Sequence, residues 1–319
     1  MKRFQRKCAM PLSKKYGTYF EGFDAYSTFE FYESVRKRLP TASFPKTSLR
    51  ASGLLDIADD IDVFVFDAYG VLNVGSTAIH GAAETVSALR DMGKQVFVLT
   101  NAATYPFEHS IQKFESLSFD FQSNEIFSSR MGACKGMAQQ DISRWGVMGN
   151  SDSNPYEFGV ETRLLADDPK DYDWAEGFLL LSTWEWNGSR QSLLDEAYQR
   201  RQRPLVVANP DVIAPLEDGF STEPGFVAHR IAERFGVSVE FHGKPFPSVF
   251  ELVMERLSPE QDRSRIAMVG DTLHTDVLGG ASQMWSTVLV TDHGLFRGAD
   301  VTRPIKQSGI VPTYIVPQI

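Results

Sequence analysis

The stretch Ile61-Asp62-Val63-Phe64-Val65-Phe66-Asp67-Ala68-Tyr69-Gly70-Val71-Leu72-Asn73 decides the fold of this chain. Its run Val63–Phe66 is apolar, β-branched and aromatic, which is typical of a strand buried on both faces of a parallel sheet. Asp67 follows directly, at the carboxyl end of the strand, where open α/β sheets bind their ligands. Taken alone, such an aspartate is also a common turn residue, so the rest of the chain must decide its role.

Strand and helix patterns alternate on both sides of this stretch. Apolar strands are predicted over residues 95–99, 125–127, 265–269 and 287–290, and helices over residues 82–92, 107–117, 131–139 and 248–257. Short loops join them, which is typical of a doubly wound parallel sheet. We therefore predict an α/β fold with a doubly wound, Rossmann-like parallel-sheet core.

The pattern changes between residues 142 and 239. Polar and acidic loops there separate strands predicted over residues 178–181 and 205–208 from helices predicted over residues 191–200 and 225–235. A segment of about 100 residues is large enough to be a domain. We predict a discontinuous core domain (residues 51–141 and 240–319), an inserted α/β domain (residues 142–239) and an N-terminal extension (residues 1–50) without an assigned role.

Composition narrows the function classes. The chain has 319 residues, 42% hydrophobic and 23% charged, which is typical of a soluble globular protein with room for two domains. Its net charge of -9 argues against a general nucleic-acid binder. No apolar run approaches a membrane span, the first twenty residues lack a secretory signal, and Cys8 and Cys134 have no ligand spacing. We expect a cytoplasmic protein with no nucleic-acid or membrane partner.

Four short polar sites follow predicted strands or begin helices: Asp67, Thr100-Asn101, Lys244, and Asp271 with Asp276. In a parallel sheet they would share one edge. Three carboxylates there repel, by about 4 kcal/mol per pair at about 4 Å and an effective dielectric of about 20. Lys244 or a hard cation such as Mg²⁺ would offset that charge. Thr100 with the following backbone N–H groups, and Lys244, would bind phosphate. Singly, each site could also be a turn, a helix cap or a surface lysine.

These sites occur in the same order as the motifs of a known superfamily. The motifs Asp67-Ala68-Tyr69-Gly70-Val71, Thr100-Asn101, Gly243-Lys244-Pro245 and Gly270-Asp271-Thr272-Leu273-His274-Thr275-Asp276 resemble those of the haloacid dehalogenase (HAD) superfamily. The inserted domain, with Asn209-Pro210-Asp211 near its end, resembles the C2-type cap of the NagD-like sugar phosphatases of class IIA. The resemblance covers about residues 54–295.

The resemblance implies a role for each motif. Asp67 would attack phosphorus to give an aspartyl-phosphate, and Mg²⁺ would be held by Asp67, Asp271 and the backbone carbonyl of Tyr69, with Asp276 completing the acidic site. Thr100, Asn101 and Lys244 would bind the phosphoryl group. Substrate contacts are expected from three cap residues: Trp184, Asn209 and Asp211. The substrate would be a small phosphorylated metabolite such as a sugar phosphate, and a homodimer is an open alternative.

Tyr69 departs from the phosphatase pattern. Most phosphatases of the superfamily have an aspartate there that serves as general acid and base, and losing such a group costs about 10²–10⁴ in rate. Asp67-Ala68-Tyr69-Gly70 instead resembles the first motif of the 2-haloacid dehalogenases. Three functions therefore stay open: a slow Mg²⁺-dependent phosphohydrolase, a weakly catalytic or non-catalytic phosphate-binding regulatory protein, and, third, a dehalogenase that needs neither Asp271 nor Asp276.

Overall fold

The computed structural model describes residues 24–216 and 219–319, so that residues 1–23 of the predicted N-terminal extension lie outside the described part. In chain order the strands are β1 (Leu49–Arg50), β2 (Val63–Phe66), β3 (Asn73–Val74), β4 (Thr77–Ala78), β5 (Gln95–Thr100), β6 (Ile126–Ser128), β7 (Arg144–Met148), β8 (Glu161–Leu164), β9 (Gly177–Leu180), β10 (Leu205–Val207), β11 (Ile213–Leu216), β12 (Gly219–Thr222), β13 (Val239–Phe241), β14 (Ile266–Gly270), β15 (Ser286–Val290) and β16 (Tyr314–Val316).

The helices follow the same order: α1 (Ala25–Ser34), α2 (Ala82–Asp91), α3 (Phe107–Ser116), α4 (Ser129–Met137), α5 (Pro169–Trp174), α6 (Gly188–Arg200), α7 (Pro224–Phe235), α8 (Pro247–Met254), α9 (Leu278–Ser282) and α10 (Thr302–Ser308). A π-helical turn, Leu273–Val277, precedes α9. No helix in the described ranges combines the length and the apolar character that crossing a membrane requires.

A parallel seven-stranded sheet forms one body of the molecule, in the order β1-β16-β15-β14-β2-β5-β6. The quoted stretch supplies β2, whose four side chains are all buried, and β2 lies between β14 and β5. Helices α2 and α8 pack against this sheet through residues such as Val86 and Phe250. The predicted α/β class with a doubly wound parallel core is confirmed.

A second parallel sheet, in the order β13-β10-β9-β7-β8, is formed from residues between 144 and 241. Strand β13 crosses the predicted boundary at residue 240 and pairs with β10, through Val239 and Leu205. We did not predict the edge strand β8, because Glu161 and Arg163 alternate with partly buried residues and leave no apolar run. The domain boundaries themselves stay a prediction.

A short antiparallel hairpin, β11–β12, follows the Asn209-Pro210-Asp211 motif, pairing Ile213 with Thr222. Helix α1 belongs to neither sheet and touches both bodies. Its Phe31 ring lies 5.1 Å from the ring of Phe226 in α7, and its Tyr32 ring stacks 5.0 Å from His274 in the π-helical turn. Within the predicted N-terminal extension, helix α1 therefore contacts both bodies, whereas β1 pairs with β16 at the edge of the seven-stranded sheet.

Candidate active site

The acidic site lies at the carboxyl edge of the seven-stranded sheet. Because β2 pairs in parallel with β14, and Val269 lies opposite Phe66, the residues that follow these strands emerge side by side. Three carboxylates meet there: Asp67 after β2, Asp271 after β14, and Asp276 in the π-helical turn. One oxygen from each lies within 4.8 Å of the others. The predicted clustering of these aspartates is what the structure shows.

Close backbone approach to these carboxylates requires glycine. A Cβ atom on Gly270 would lie 2.0 Å from Cγ of Asp276, and one on Gly294 would lie 2.0 Å from Oδ2 of Asp271. Both distances are far below van der Waals contact. The backbone N–H of Leu295 donates to Oδ2 of Asp271 at 2.7 Å, which the absence of a side chain at Gly294 makes possible.

Lys244 is buried among the same carboxylates. Its Nζ lies 2.5 Å from Oδ1 of Asp67 and 2.8 Å from Oδ1 of Asp276. Burial disfavours the charged amine, but the carboxylates of Asp276, Asp67 and Asp211 outweigh that effect and hold the pKa of Lys244 above its ordinary value. The lysine is therefore a permanent cation beside Asp67.

One lysine does not neutralise three carboxylates. Burial raises the pKa of Asp67 to about 6, with Lys244 opposing the shift. Burial and the negative charges of Asp276 and Asp67 raise the pKa of Asp271 to about 8. Near neutral pH the site thus holds Asp271 largely protonated, unless a further positive charge is added. The three oxygens fit a hard divalent cation, which prefers carboxylate ligands.

Thr100 and Asn101 lie at the end of β5, next to β2. Thr100 is buried, and its Oγ1 accepts from the backbone N–H of Ala102 at 3.2 Å. The Asn101 amide is engaged elsewhere: Nδ2 donates to Oδ1 of Asp211 at 2.8 Å and to the carbonyl of Lys244 at 2.9 Å, while Oδ1 accepts from the Lys244 N–H at 2.7 Å. The Asn101 side chain thus links Lys244 and Asp211 through hydrogen bonds.

Comparison with known families agrees with this geometry. Residues 64–156 match the family described as haloacid dehalogenase-like hydrolase, and residues 241–319 match the family described as HAD-hydrolase-like. Together the two regions make up just over half of the chain. The chain belongs to the haloacid dehalogenase superfamily. The predicted superfamily is therefore confirmed.

The relatives of this HAD hydrolase include named phosphatases. An acid sugar phosphatase of Staphylococcus aureus (strain MRSA252) is 24% identical over 252 residues, which cover 79% of this chain and 92% of the relative. A crystal structure of a possible sugar phosphatase of the HAD superfamily from Cytophaga hutchinsonii has 27% sequence identity and a TM-score of 0.75, covering 85% of this chain and 98% of that one. NagD from E. coli K-12 shares the fold, with 21% identity and a TM-score of 0.62 over 81% of this chain and 96% of NagD.

Tyr69 lies at the edge of the HAD hydrolase's acidic site. The residue forms a bridge with Asn73 and lines the cavity above Asp67. The ammonium of Lys113 in α3 lies 3.9 Å from the centre of its ring. Burial lowers the pKa of Lys113 to about 8, against the charge of Asp67. Sequence reasoning missed this lysine, because its position on a helix face resembles that of an ordinary surface residue.

A cavity of about 550 Å³ opens between the acidic site and the second sheet. Trp184, which is 44% exposed, lines this cavity together with hairpin β11–β12. Asn209 is a supporting residue: its Nδ2 donates to Oε2 of Glu223 at 2.9 Å, and its Oδ1 accepts from the N–H of Asp211 at 3.0 Å. The structure therefore brings all three predicted cap residues to the cavity, with Trp184 and Asp211 facing the space a substrate would occupy.

Two carboxyl groups in the cap part of the cavity have raised pKa values, which favours their protonated forms. Burial raises the pKa of Asp211 well above its usual range, and Asp67 adds to the shift while Lys244 opposes it. Burial raises the pKa of Glu223 to about 7, against hydrogen bonds from Ser221 and Asn209. We did not predict a role for Glu223 in the site. The residue directly precedes Pro224, the first residue of α7.

Helix α1 also reaches the cavity, which the sequence did not indicate. Thr28 and Tyr32 are both lining residues, and both are buried. His274 pairs through Nε2 with Oε1 of Glu33 in α1 at 2.6 Å. A single aromatic-rich helix in the sequence offers no signal that distinguishes such a wall from a helix that only covers the core.

Proposed function

We propose that this chain is a Mg²⁺-dependent phosphatase that acts on a small phosphorylated metabolite, such as a sugar phosphate, through an aspartyl-phosphate at Asp67. One observation carries the proposal: Asp67 lies against a buried lysine and two further carboxylates, and it lines the cavity between this acidic site and the second sheet. The phosphatase names of the relatives support the reaction class.

The proposed metal ion, Mg²⁺, follows from the oxygen ligands that the site offers. Phosphatases of this superfamily use a divalent metal ion. Asp67 and Asp271, with the Tyr69 carbonyl, would hold Mg²⁺, and Asp276 would complete the acidic site by binding Lys244 and accepting from the N–H of Thr272 at 3.1 Å. When bound, such an ion neutralises charge and polarises phosphoryl oxygens. The unbalanced carboxylates described above favour its binding.

The nucleophile is positioned by its own backbone and by Lys244. Oδ1 of Asp67 accepts from the N–H of Ala68 at 2.7 Å and lies against the Lys244 ammonium. This leaves Oδ2 as the atom that attacks phosphorus, while the bond from phosphorus to the leaving oxygen breaks. Lys244 and the hydroxyl of Thr100 would then stabilise the negative charge on the phosphoryl oxygens.

The leaving oxygen needs a proton, and Tyr69 is a weak source of one near neutral pH. Asp211 is a better donor. It lines the cavity, its Oδ1 accepts from the Asn101 amide, and burial raises its pKa, which favours the protonated form. After giving that proton to the leaving alkoxide, the carboxylate of Asp211 could accept a proton from the water that breaks the aspartyl-phosphate and releases inorganic phosphate.

Tyr69 favours one alternative. If no group replaces the missing aspartate, the phosphate pocket persists while turnover is lost, and the chain is a phosphate-binding regulatory protein. The dehalogenase alternative has less support, because a metal-free site has no use for Asp271 and Asp276 beside Asp67. A homodimer and the Mg²⁺ requirement stay predictions.

The deciding experiment measures phosphate release from alkyl, aryl and acyl phosphates, with Mg²⁺ and with a chelator, using Asp67→Asn as the blank. We expect metal-dependent release that the variant lacks, by a factor of at least about 10³. As a second measurement, the intact protein mixed with acetyl phosphate and Mg²⁺ should gain the mass of one phosphoryl group at short times. Release by Asp67→Asn at the wild-type rate would exclude the aspartyl-phosphate.

A further inference from the structure

We propose that helix α1 forms a wall of the active site and that the hydroxyl groups of Thr28 and Tyr32 bind hydroxyl groups of the substrate's leaving group. The inference rests on the proposed phosphatase function and deepens it by naming the leaving-group class. Residues 24–39 lie outside both regions matched by the family models, the first of which begins at residue 64. This subsite is therefore a property of this chain beyond the family motifs.

Tyr32 connects the core, the cap and the cavity. Its ring stacks on His274 with an interplanar angle of 6°, and His274 is held in turn by Glu33. Its hydroxyl oxygen accepts from the backbone N–H of Val212, the residue after Asp211, at 3.0 Å. The phenol proton is not used by that bond, so the hydroxyl can still donate to a ligand in the cavity.

The electrostatic setting of Tyr32 keeps that proton in place. Burial raises the pKa of Tyr32, and the carboxylate of Asp211 adds to the shift. The hydrogen bond from Val212 places this hydroxyl next to the residue that follows Asp211, and both Tyr32 and Asp211 line the cavity. A leaving oxygen that takes a proton from Asp211 would bring its neighbouring hydroxyl groups next to Tyr32.

Thr28 lies one helical turn before Tyr32 on the same face of α1. Its side chain is completely buried, and Oγ1 has no hydrogen-bond partner within the described part of the chain. A buried hydroxyl without a partner destabilises the folded protein, because the hydrogen bonds that it made to water are not replaced. The residue nevertheless lines the cavity, where a substrate hydroxyl would give it the missing partner.

The charge of the cavity points to a neutral leaving group. The described lining residues include four acids, Asp67, Asp211, Glu223 and Asp271, and no lysine or arginine. An anionic leaving group, such as a carboxylate or a second phosphate, would meet no cation among these lining residues, because the ammonium of Lys113 lies 3.9 Å from the centre of the Tyr69 ring and Lys113 does not itself line the cavity. The apolar hairpin β11–β12 and Trp184 on the opposite side would cover a carbon skeleton. A neutral polyhydroxylated leaving group fits both walls.

The test compares two esters in the full-length protein with Mg²⁺: ribose 5-phosphate, whose leaving group carries hydroxyls, and p-nitrophenyl phosphate, whose leaving group carries none. We expect Tyr32→Phe and Thr28→Val each to lower kcat/KM for ribose 5-phosphate about tenfold, the usual effect of one lost hydrogen bond, and to change p-nitrophenyl phosphate less than about twofold. Tyr26→Phe is the matched control on α1, because its hydroxyl donates to Oε1 of Gln307 at 3.4 Å and Tyr26 is not among the described residues that line the cavity.

Phenylalanine keeps the stack on His274, and a thermal unfolding midpoint within the wild-type range would verify that each variant folds. Equal losses with both esters would assign α1 a purely structural role and overturn the inference, as would no loss with either. Faster wild-type hydrolysis of the anionic ester phosphoglycolate than of ribose 5-phosphate would also contradict it. If wild type releases no phosphate from any ester, the proposed function fails and this inference fails with it.

Discussion

The side-chain amide of Asn101 joins the core to the cap by donating to Oδ1 of Asp211 at 2.8 Å. The same amide bonds both backbone polar groups of Lys244. One residue at the end of a core strand therefore positions both the cation beside Asp67 and the carboxyl group of Asp211, the proposed proton donor. Any change in the position of the cap at this point would be transmitted to the lysine.

Asp211→Asn should slow the hydrolysis of alkyl phosphates by about 10²–10⁴, because the amide cannot donate the proton that an alkoxide needs. Aryl phosphates, whose leaving groups depart without a proton, should be slowed far less. The measurement is the dependence of kcat/KM on the leaving-group pKa, which should become steeper in the variant. The asparagine keeps an oxygen to accept from Asn101. A uniform loss with all esters would remove Asp211 as the proton donor.

Tyr69→Asp should raise the hydrolysis of alkyl phosphates by about tenfold or more, because it supplies a second acid/base group beside the site. Lys113, now above the tyrosine ring, would then face a carboxylate. Tyr69→Asn is the matched control, since it has the same size without the titratable group. Equal rates in the two variants would mean that a carboxyl group at position 69 adds nothing to the proton transfer proposed for Asp211.

Mg²⁺ should stabilise the protein more at high pH than at low pH. The folded-state pKa of Asp271 is raised from 3.8 to about 8, so without metal its contribution to stability falls as pH rises through that range. A cation that binds the carboxylate must displace this proton below about pH 8. We expect the Mg²⁺-induced rise in the thermal unfolding midpoint to be larger near about pH 9 than near about pH 6. Asp271→Asn should abolish this dependence.

Lys244→Met should destabilise the fold by about 3 kcal/mol or more in the absence of metal, because it leaves buried carboxylates without their cation. Lys135→Met is the control: its pair with Glu255 is exposed, and such pairs contribute about 0–1 kcal/mol. Urea unfolding of both variants measures the difference. Equal stability of the two variants would show that the carboxylates are protonated rather than paired.

The sequence predicted the parts of the site that follow strands, and the reason is local. Val63–Phe66 and Ile266–Gly270 are unbroken apolar runs, and the carboxyl ends of parallel strands meet at one edge, so Asp67 and Asp271 were expected at the same edge. The structure adds that their strands are adjacent. The superfamily motifs added Lys244 and Asp276. For the predicted positions of Asp67 and Asp271, the strand pattern alone was sufficient.

The remaining features depend on contacts between distant segments. Thr28 and Tyr32 face the cavity only because α1 packs between His274 and Phe226, which neither its composition nor its periodicity indicates. The hairpin β11–β12 contains Pro215 and glycine, so its strands lack a clear alternating pattern. Asn101 has the same motif position whether its side chain binds phosphate or clamps Lys244.

Because α1 contributes cavity residues while lying outside the matched family regions, the proposed substrate contacts come from two segments that can mutate separately. The cap can change its hairpin without altering α1, and α1 can change two side chains without altering the nucleophile or its lysine. A fragment trimmed to the family boundaries would keep every catalytic motif yet open one side of the cavity to water. Substrate profiles measured on such a fragment would describe a different enzyme.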